Sequence, residues 1–193
     1  YFVSALGIKI TVLILSNLDL ILVKIYFRDI DAGIYSAGMV IAKIGMYVTM
    51  ALIVPLFPMV VEKNSMGSAT KPLLFKCMGY SVVAEIVYAF VIFMIGKYVI
   101  ILLFGEKYLS AIRLFPFIFP YVIGLSCLLV LMNYFLAFES SSIFTLIMLI
   151  TISLITTVTG LCHTSMTAFI VAMDCVLGFA VLSCMAYILL GKQ

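Results

Sequence analysis

Six apolar runs of membrane-crossing length, parted only by short polar breaks, constrain this chain more than any other feature. They read Phe2–Phe27, Ala32–Val61, Leu73–Ile95, Leu114–Phe138, Ile143–Leu161 and Thr167–Leu190. At about 1.5 Å rise per residue, roughly twenty helical residues cross a hydrocarbon core of about 30 Å. None of the runs alternates with period two, and all exceed the roughly ten residues that a barrel strand needs. Lipid offers no hydrogen bonds to the backbone, so each segment must satisfy its own N–H and C=O groups as a helix. Composition agrees. With 66% hydrophobic and 10% charged residues and a mean hydropathy of +1.36, 193 residues hold too little polar surface to coat a water-soluble globule. The expected fold is all-α: a polytopic membrane bundle of six transmembrane helices, occupying residues 1–193 as a single domain.

The longest breaks, Glu62–Pro72 and Gly96–Arg113, leave no room for a soluble domain. The second contains a further apolar piece, Tyr98–Phe104, too short to span; it is expected at the interface or as an extension of the preceding helix. The chain opens on Tyr1 directly into an apolar run, with neither an initiator Met nor a signal-peptide pattern, so it reads as a piece of a longer protein. No repeat relates the first three runs to the last three, which places any internal symmetry with a partner half outside this sequence. Loop charge does not orient the spans. Lys63, Lys71, Lys76 and Lys192 fall on one side and Lys24, Arg28, Lys97, Lys107 and Arg113 on the other, a margin too small for the positive-inside rule. A net charge of +3 with scattered basic residues likewise gives no reason to expect a nucleic-acid partner.

Sequence chemistry of the enzymatic kind is sparse. Cys77, Cys127, Cys162, Cys175 and Cys184 form no C-x-x-C pair and read as small packing residues. His163 is the one histidine in the short loop between the last two runs, Cys162–Met166, and a lone His there is a weak metal candidate and reads as a solvated loop residue. No nucleophile–base pair, phosphate-cradling glycine loop or H-E-x-x-H pattern occurs. No enzyme activity, resident metal or cofactor is expected.

Ionisable residues inside the runs carry more information. Lys9 and Asp19 lie in the first, Lys43 in the second, Glu85 in the third and Asp174 in the sixth. Each costs a few kcal/mol facing lipid, so each is expected to face the bundle interior or a wet cavity. For any single one, an interhelical ion pair or a bond to a carbonyl is the plain alternative. For the set of five, a water-filled path is the simpler account. Gly38, Ala42, Gly45 and Thr49 form a small-residue stripe along the second run, which permits close helix approach. Lys43 lies on the neighbouring face with Ser36 and Tyr47. Ser81, Glu85 and Tyr88 recur at i, i+4, i+7 in the third run, and Ser153, Thr156, Thr157 and Gly160 give the fifth a hydroxyl-rich face. Asp29 and Asp31 suit the N-terminus of the second helix, where carboxylates meet orphan N–H groups. Pro55 and Pro58 are expected to close the second helix, and Pro116 and Pro120 to open the fourth.

The order of landmarks carries a resemblance. Asn17-Leu-Asp19 late in the first run is followed by Ala32-Gly33-Ile34-Tyr35-Ser36-Ala37, then by a long helix ending Pro55-Leu-Phe-Pro58. Leu103-Phe104-Gly105-Glu106-Lys107-Tyr108-Leu-Ser-Ala111 comes next, and Phe135-Leu-Ala137-Phe-Glu139 after it. Over nearly its whole length the chain resembles the C-terminal six-helix lobe of Wzx-type polysaccharide flippases, in the multidrug/oligosaccharidyl-lipid/polysaccharide exporter superfamily. The resemblance implies a two-lobe, MATE-like transporter whose N-terminal lobe is the partner half. It implies inversion of a lipid-linked oligosaccharide, such as an O-antigen repeat unit, across the bacterial inner membrane by alternating access. Asp19 matches the family's acid late in the lobe's first helix. Lys9 and Lys43 are counterparts, by location, of basic residues that meet the substrate's phosphates. Asp19, Glu85 or Asp174 would change protonation or bind a coupling cation, H+ or Na+. The chain departs from the family at the start of the last helix, where Thr164-Ser-Met-Thr167-Ala168 replaces a glycine-rich small-residue stretch. A multidrug exporter of organic cations from the same superfamily, or a membrane assembly subunit without transport, are the alternative readings.

Overall fold

A computed structural model describes residues 2–66, 69–137, 141–162 and 164–190 of the chain. His163, Glu139 and Lys192 lie outside the described residues. Among those described, all regular structure is helical: α1 (Phe2–Tyr26), α2 (Asp29–Ile44), α3 (Met46–Ile53), α4 (Leu56–Ser65), α5 (Lys71–Leu103), α6 (Phe115–Ala137), α7 (Ser141–Leu161) and α8 (Met166–Leu190), with a 3-10 segment, Glu106–Leu114, ahead of α6. Six stretches are long and apolar enough to cross a membrane: Leu6–Tyr26, Asp29–Ala51, Lys71–Leu103, Glu106–Ala137, Ile143–Leu161 and Met166–Leu190. The expected all-α bundle is the observed one, and its composition is that of a multi-pass membrane protein.

The second run is where structure and sequence part. It divides into α2, α3 and α4: at Gly45 the backbone stays right-handed helical but tightens to i→i−3 bonding, which we call the α2–α3 break, and at Val54–Pro55 the helix is interrupted. Pro55 lacks the N–H that would continue the ladder. Pro58 does not close anything; it occupies the first turn of α4, where an N–H has no intrahelical partner anyway. At Gly45 the backbone N–H turns to Ala42 O at 3.1 Å, and the Ile41 carbonyl is taken by the Tyr88 hydroxyl of α5 at 2.7 Å. A side chain supplied from a neighbouring helix thus satisfies the group that the break leaves open, as an apolar surrounding requires.

The Tyr98–Phe104 piece extends α5, which runs 33 residues to Leu103. It stops because Gly105 adopts φ 89° and ψ 169°, a region open essentially to glycine alone. Its N–H reaches back to Ile100 O at 3.1 Å, closing the last turn. At the other corner, Asp29 and Asp31 do begin α2. They bond outward, to Lys24 and, at 3.2 Å, to Arg28, and both pairs are exposed.

Helix α6 is the hub. It packs on α1, α2, α3, α4, α5 and α8, while α7 leans on α1 and α8 at the periphery. The apolar window of α6 is 67% buried against 22% for α5, so α6 forms the core and α5 presents most of its surface outward. Lipid tails match apolar side chains, so packing detail rather than hydrophobic drive holds such helices together. Gly38 lets α2 approach Ile118 and Phe115 of α6, and Phe115, Phe119 and Phe93 interlock with centroids 5.6 to 6.2 Å apart. Large apolar side chains, among them Ile14, Ile21, Phe90, Leu102, Leu146 and Phe179, stay exposed around the outside, the face a bilayer would cover.

Candidate functional site

Two turns of α2 converge on one carboxylate of α1. Asp19 is fully buried, and Tyr35 and Lys43, about 12 Å apart along α2 by helical rise, both reach it. Lys43 Nζ lies 3.0 Å from Asp19 Oδ1 and 3.2 Å from Oδ2, and donates to the Ser16 carbonyl at 2.6 Å. The Tyr35 hydroxyl donates to Asp19 Oδ2 at 3.2 Å. From α6, the Tyr121 hydroxyl points to Leu15 O at 3.5 Å, the neighbouring turn of α1. Burying a carboxylate is tolerable only when paired and hydrogen-bonded, and Asp19 is both. The structure therefore brings two of the five intramembrane charges together as an ion pair.

Ser16, which receives Lys43, also borders an open groove of about 410 Å³ lined from α1, α3 and α6. Lys9, Ser16, Asn17 and Tyr47 give it polar edges, and Val12, two leucines and three methionines complete it. Lys9, Asn17 and Tyr47 are exposed, and Lys43 retains 21% side-chain exposure. Ser16 belongs to both features, since its carbonyl receives Lys43 and the residue also lines the groove. Among the described residues Lys9 has no acidic partner, so the groove carries positive charge. A larger cleft, about 490 Å³, opens at one end of the bundle between the α1–α2 corner, the 3-10 segment and the start of α8. Its charged members are Asp31 and Arg113, which lie at the span ends rather than inside.

Glu85 occupies a different place. Its side chain is fully buried at the α2–α3 break, where Oε1 accepts from Ser126 at 2.7 Å and from Thr49 at 3.5 Å. Gly45 makes this possible, because a Cβ there would overlap the Glu85 carboxylate and stand 2.7 Å from Tyr88 Cδ1. Gly45 and Thr49 of the small-residue stripe thus meet Glu85 and Tyr88 of α5, while Gly38, farther along the stripe, faces α6. Asp174, half-buried on α8, keeps Oδ1 without a hydrogen-bond partner and lies within electrostatic reach of Tyr35 and Tyr121.

The hydroxyl face of α7 behaves differently: Thr156 and Thr157 bond to the Ile152 and Ser153 carbonyls of their own helix. Cys127 and Cys184 are buried, Cys162 and Cys175 exposed. Tyr121 and Ser126 could not have been singled out from the sequence, since each sits in an apolar run with no spacing to mark it. Tyr35 lay inside a noted landmark but without an assigned partner. No family model matches the chain, nor does any curated protein or solved structure.

Proposed function

We propose that the bundle is one lobe of a transporter that inverts an anionic, lipid-linked oligosaccharide across the bacterial inner membrane by alternating access. The observation that carries this reading is the groove: a largely apolar cleft within the spans, edged by Lys9, Ser16, Asn17 and Tyr47, with Lys9 as its one charged lining residue. Lys9 would meet the phosphates of the passing head group, and Lys43, held by Asp19, would add to the field. The break at Gly45 lies two residues from Lys43, so a change of angle there would move one wall of the groove. Broken helices beside a binding site are how many transporters combine a gate with a site. The landmark order described above agrees with this reading. An exporter of organic cations would need acidic groups on the groove; here Asp19 is paired with Lys43 and Glu85 is buried apart from it, which favours the anion.

The test is replacement of Lys9 in the intact transporter, followed by inversion of lipid-linked oligosaccharide in proteoliposomes at matched protein amounts. Lys9→Ala is expected to lower the rate by about tenfold and Lys9→Arg to retain most of it, since losing one charge-assisted contact removes about 1.5–3 kcal/mol. Equal rates in all three proteins would remove the groove from the mechanism.

A further inference from the structure

We propose that the cleft between the α1–α2 corner, the 3-10 segment and the start of α8 binds the headgroup of an anionic phospholipid from the surrounding leaflet, with Arg113 on its phosphate. The cleft holds about 490 Å³, within the range of roughly 300–1,000 Å³ that small-ligand pockets occupy. It stands at the depth where spans end: the apolar stretch of α1 stops at Tyr26, that of α2 begins at Asp29 and that of α8 at Met166. Lipid phosphates lie at this level, just outside the hydrocarbon core. The groove beside Lys9 is a separate place, since about 26 Å of helical rise separate Lys9 from Tyr26, the end of α1 at the cleft.

Two charged side chains line the cleft, and they do not pair with each other. Asp31 is held by Arg28 at 3.2 Å, so its charge is already balanced. Arg113 has no acidic partner among the described residues. The cleft therefore carries one positive charge in excess, and an anion complements it. A planar guanidinium presents parallel N–H donors that match two oxygens of one phosphate. Ser110 of the 3-10 segment adds a hydroxyl, and the start of α8 adds more. There Ser165 and Thr167 share a single hydrogen bond at 3.3 Å, which leaves the accepting hydroxyl with a proton to donate. Phe27, packed edge-on against Phe169 with centroids 5.4 Å apart, and Met166 give an apolar wall suited to glycerol carbons.

The source of the phosphate follows from the exposure of Arg113. One arginine open to water is a weak trap for a dissolved ion, because salt screens the attraction. A lipid is held at the mouth of the cleft by its own acyl chains, so its effective concentration there is high and little freedom is lost on binding. A choline headgroup would bring a second positive charge to a cleft that already has one in excess, which favours a lipid of net negative charge. Helix α8 packs mainly on α6 and α7 rather than on α2 or the 3-10 segment. A headgroup seated between them would tie the start of α8 to the α1–α2 corner and stabilise that end of the bundle.

This site does not rest on the transporter reading. The intact protein, purified and delipidated in detergent, would be titrated with phosphatidylglycerol, with phosphatidylcholine of the same chains and with inorganic phosphate. Native mass spectrometry would count the adducts, and the unfolding temperature would be followed in parallel. One phosphatidylglycerol is expected to bind in preference to phosphatidylcholine and to raise the unfolding temperature. Its affinity is expected to fall about tenfold in Arg113→Gln and less in Arg113→Lys. Lys97→Gln, which removes an exposed cation near the same end that does not line the cleft, is expected to change nothing. If Arg113→Gln does not fold, Ser110→Ala combined with Thr167→Val must weaken the same adduct. Equal losses in Arg113→Gln and Lys97→Gln, or equal affinity for the two lipids, would reduce binding to general surface attraction and overturn the site. Saturation by inorganic phosphate alone would assign the cleft to a free anion. One-for-one displacement of the bound lipid by lipid-linked oligosaccharide would assign it to the transported molecule. Either result would overturn the phospholipid as its occupant.

Discussion

Lys43 and Asp19 set two costs against each other, and their unequal exposure says which is larger. Asp19 is fully buried, whereas Lys43 keeps 21% of its side chain exposed. Removing the lysine strands a carboxylate with the Tyr35 hydroxyl and the Leu20 backbone N–H but no positive charge; removing the acid strands an ammonium that is still partly exposed. Breaking a buried pair from one side costs about 3–5 kcal/mol, while replacing both partners by neutral residues is often close to neutral. Lys43→Met is therefore expected to destabilise by about that amount, Asp19→Asn by less, and the double variant to regain most of the loss. Equilibrium unfolding in detergent micelles would measure the cycle. Additive losses in the double variant would show that the two side chains act independently, against the geometry.

At the scale of elements, the break at Gly45 organises the helices around it, and glycine substitutions separate its role from ordinary packing. Replacing glycine by alanine inside a helix gains up to about 1 kcal/mol of propensity. At Gly124 the new Cβ meets Leu177 Cδ2 at 2.6 Å and Cγ at 3.3 Å, an apolar side chain that must shift but that no hydrogen bond holds in place. At Gly45 it meets the Glu85 carboxylate and the Tyr88 ring, both held by hydrogen bonds. Gly45→Ala is expected to destabilise by about 1–3 kcal/mol and Gly124→Ala to fall near zero, read as thermal unfolding in one detergent. Equal effects would mean that the break tolerates a side chain.

The same element shows what the sequence could and could not reveal. Spans were legible because twenty-residue apolar runs leave the backbone little choice. The small-residue stripe and the Ser81/Glu85/Tyr88 face were legible as separate helical patterns. Their meeting was not, because a stripe does not name the helix that approaches it. Pro55 and Pro58 marked a disturbance, but their position could not distinguish a helix that ends from one that breaks and resumes as α4. Asp19 and Lys43 stood out as charges within runs. Their pairing across 24 residues depends on the α1–α2 corner, which no local spacing encodes.

For the whole molecule, the outer surface divides into two kinds, and that division is open to direct test. Along α1, Lys9, Leu13 and Asn17 face the groove, whereas Ile10, Ile14, Ile21 and Ile25 are exposed on apolar ground. Lys9 lies in the first turn of the Leu6–Tyr26 span and Asn17 donates to the Leu13 carbonyl at 2.9 Å, yet a charge and an amide exposed on one face of a lipid-facing helix still call for a reason. A second lobe facing the groove across water gives that reason, and two bodies are what alternating access needs. Single cysteines would be placed at positions 9, 14, 17 and 21 in a background lacking the five native cysteines, and labelled in intact membranes. Lys9→Cys and Asn17→Cys are expected to react with a charged, water-soluble reagent, and excess lipid-linked oligosaccharide to slow them. Ile14→Cys and Ile21→Cys are expected to react only with a membrane-soluble one. Uniform protection of all four positions would place the groove in lipid and argue for a bundle that stands alone.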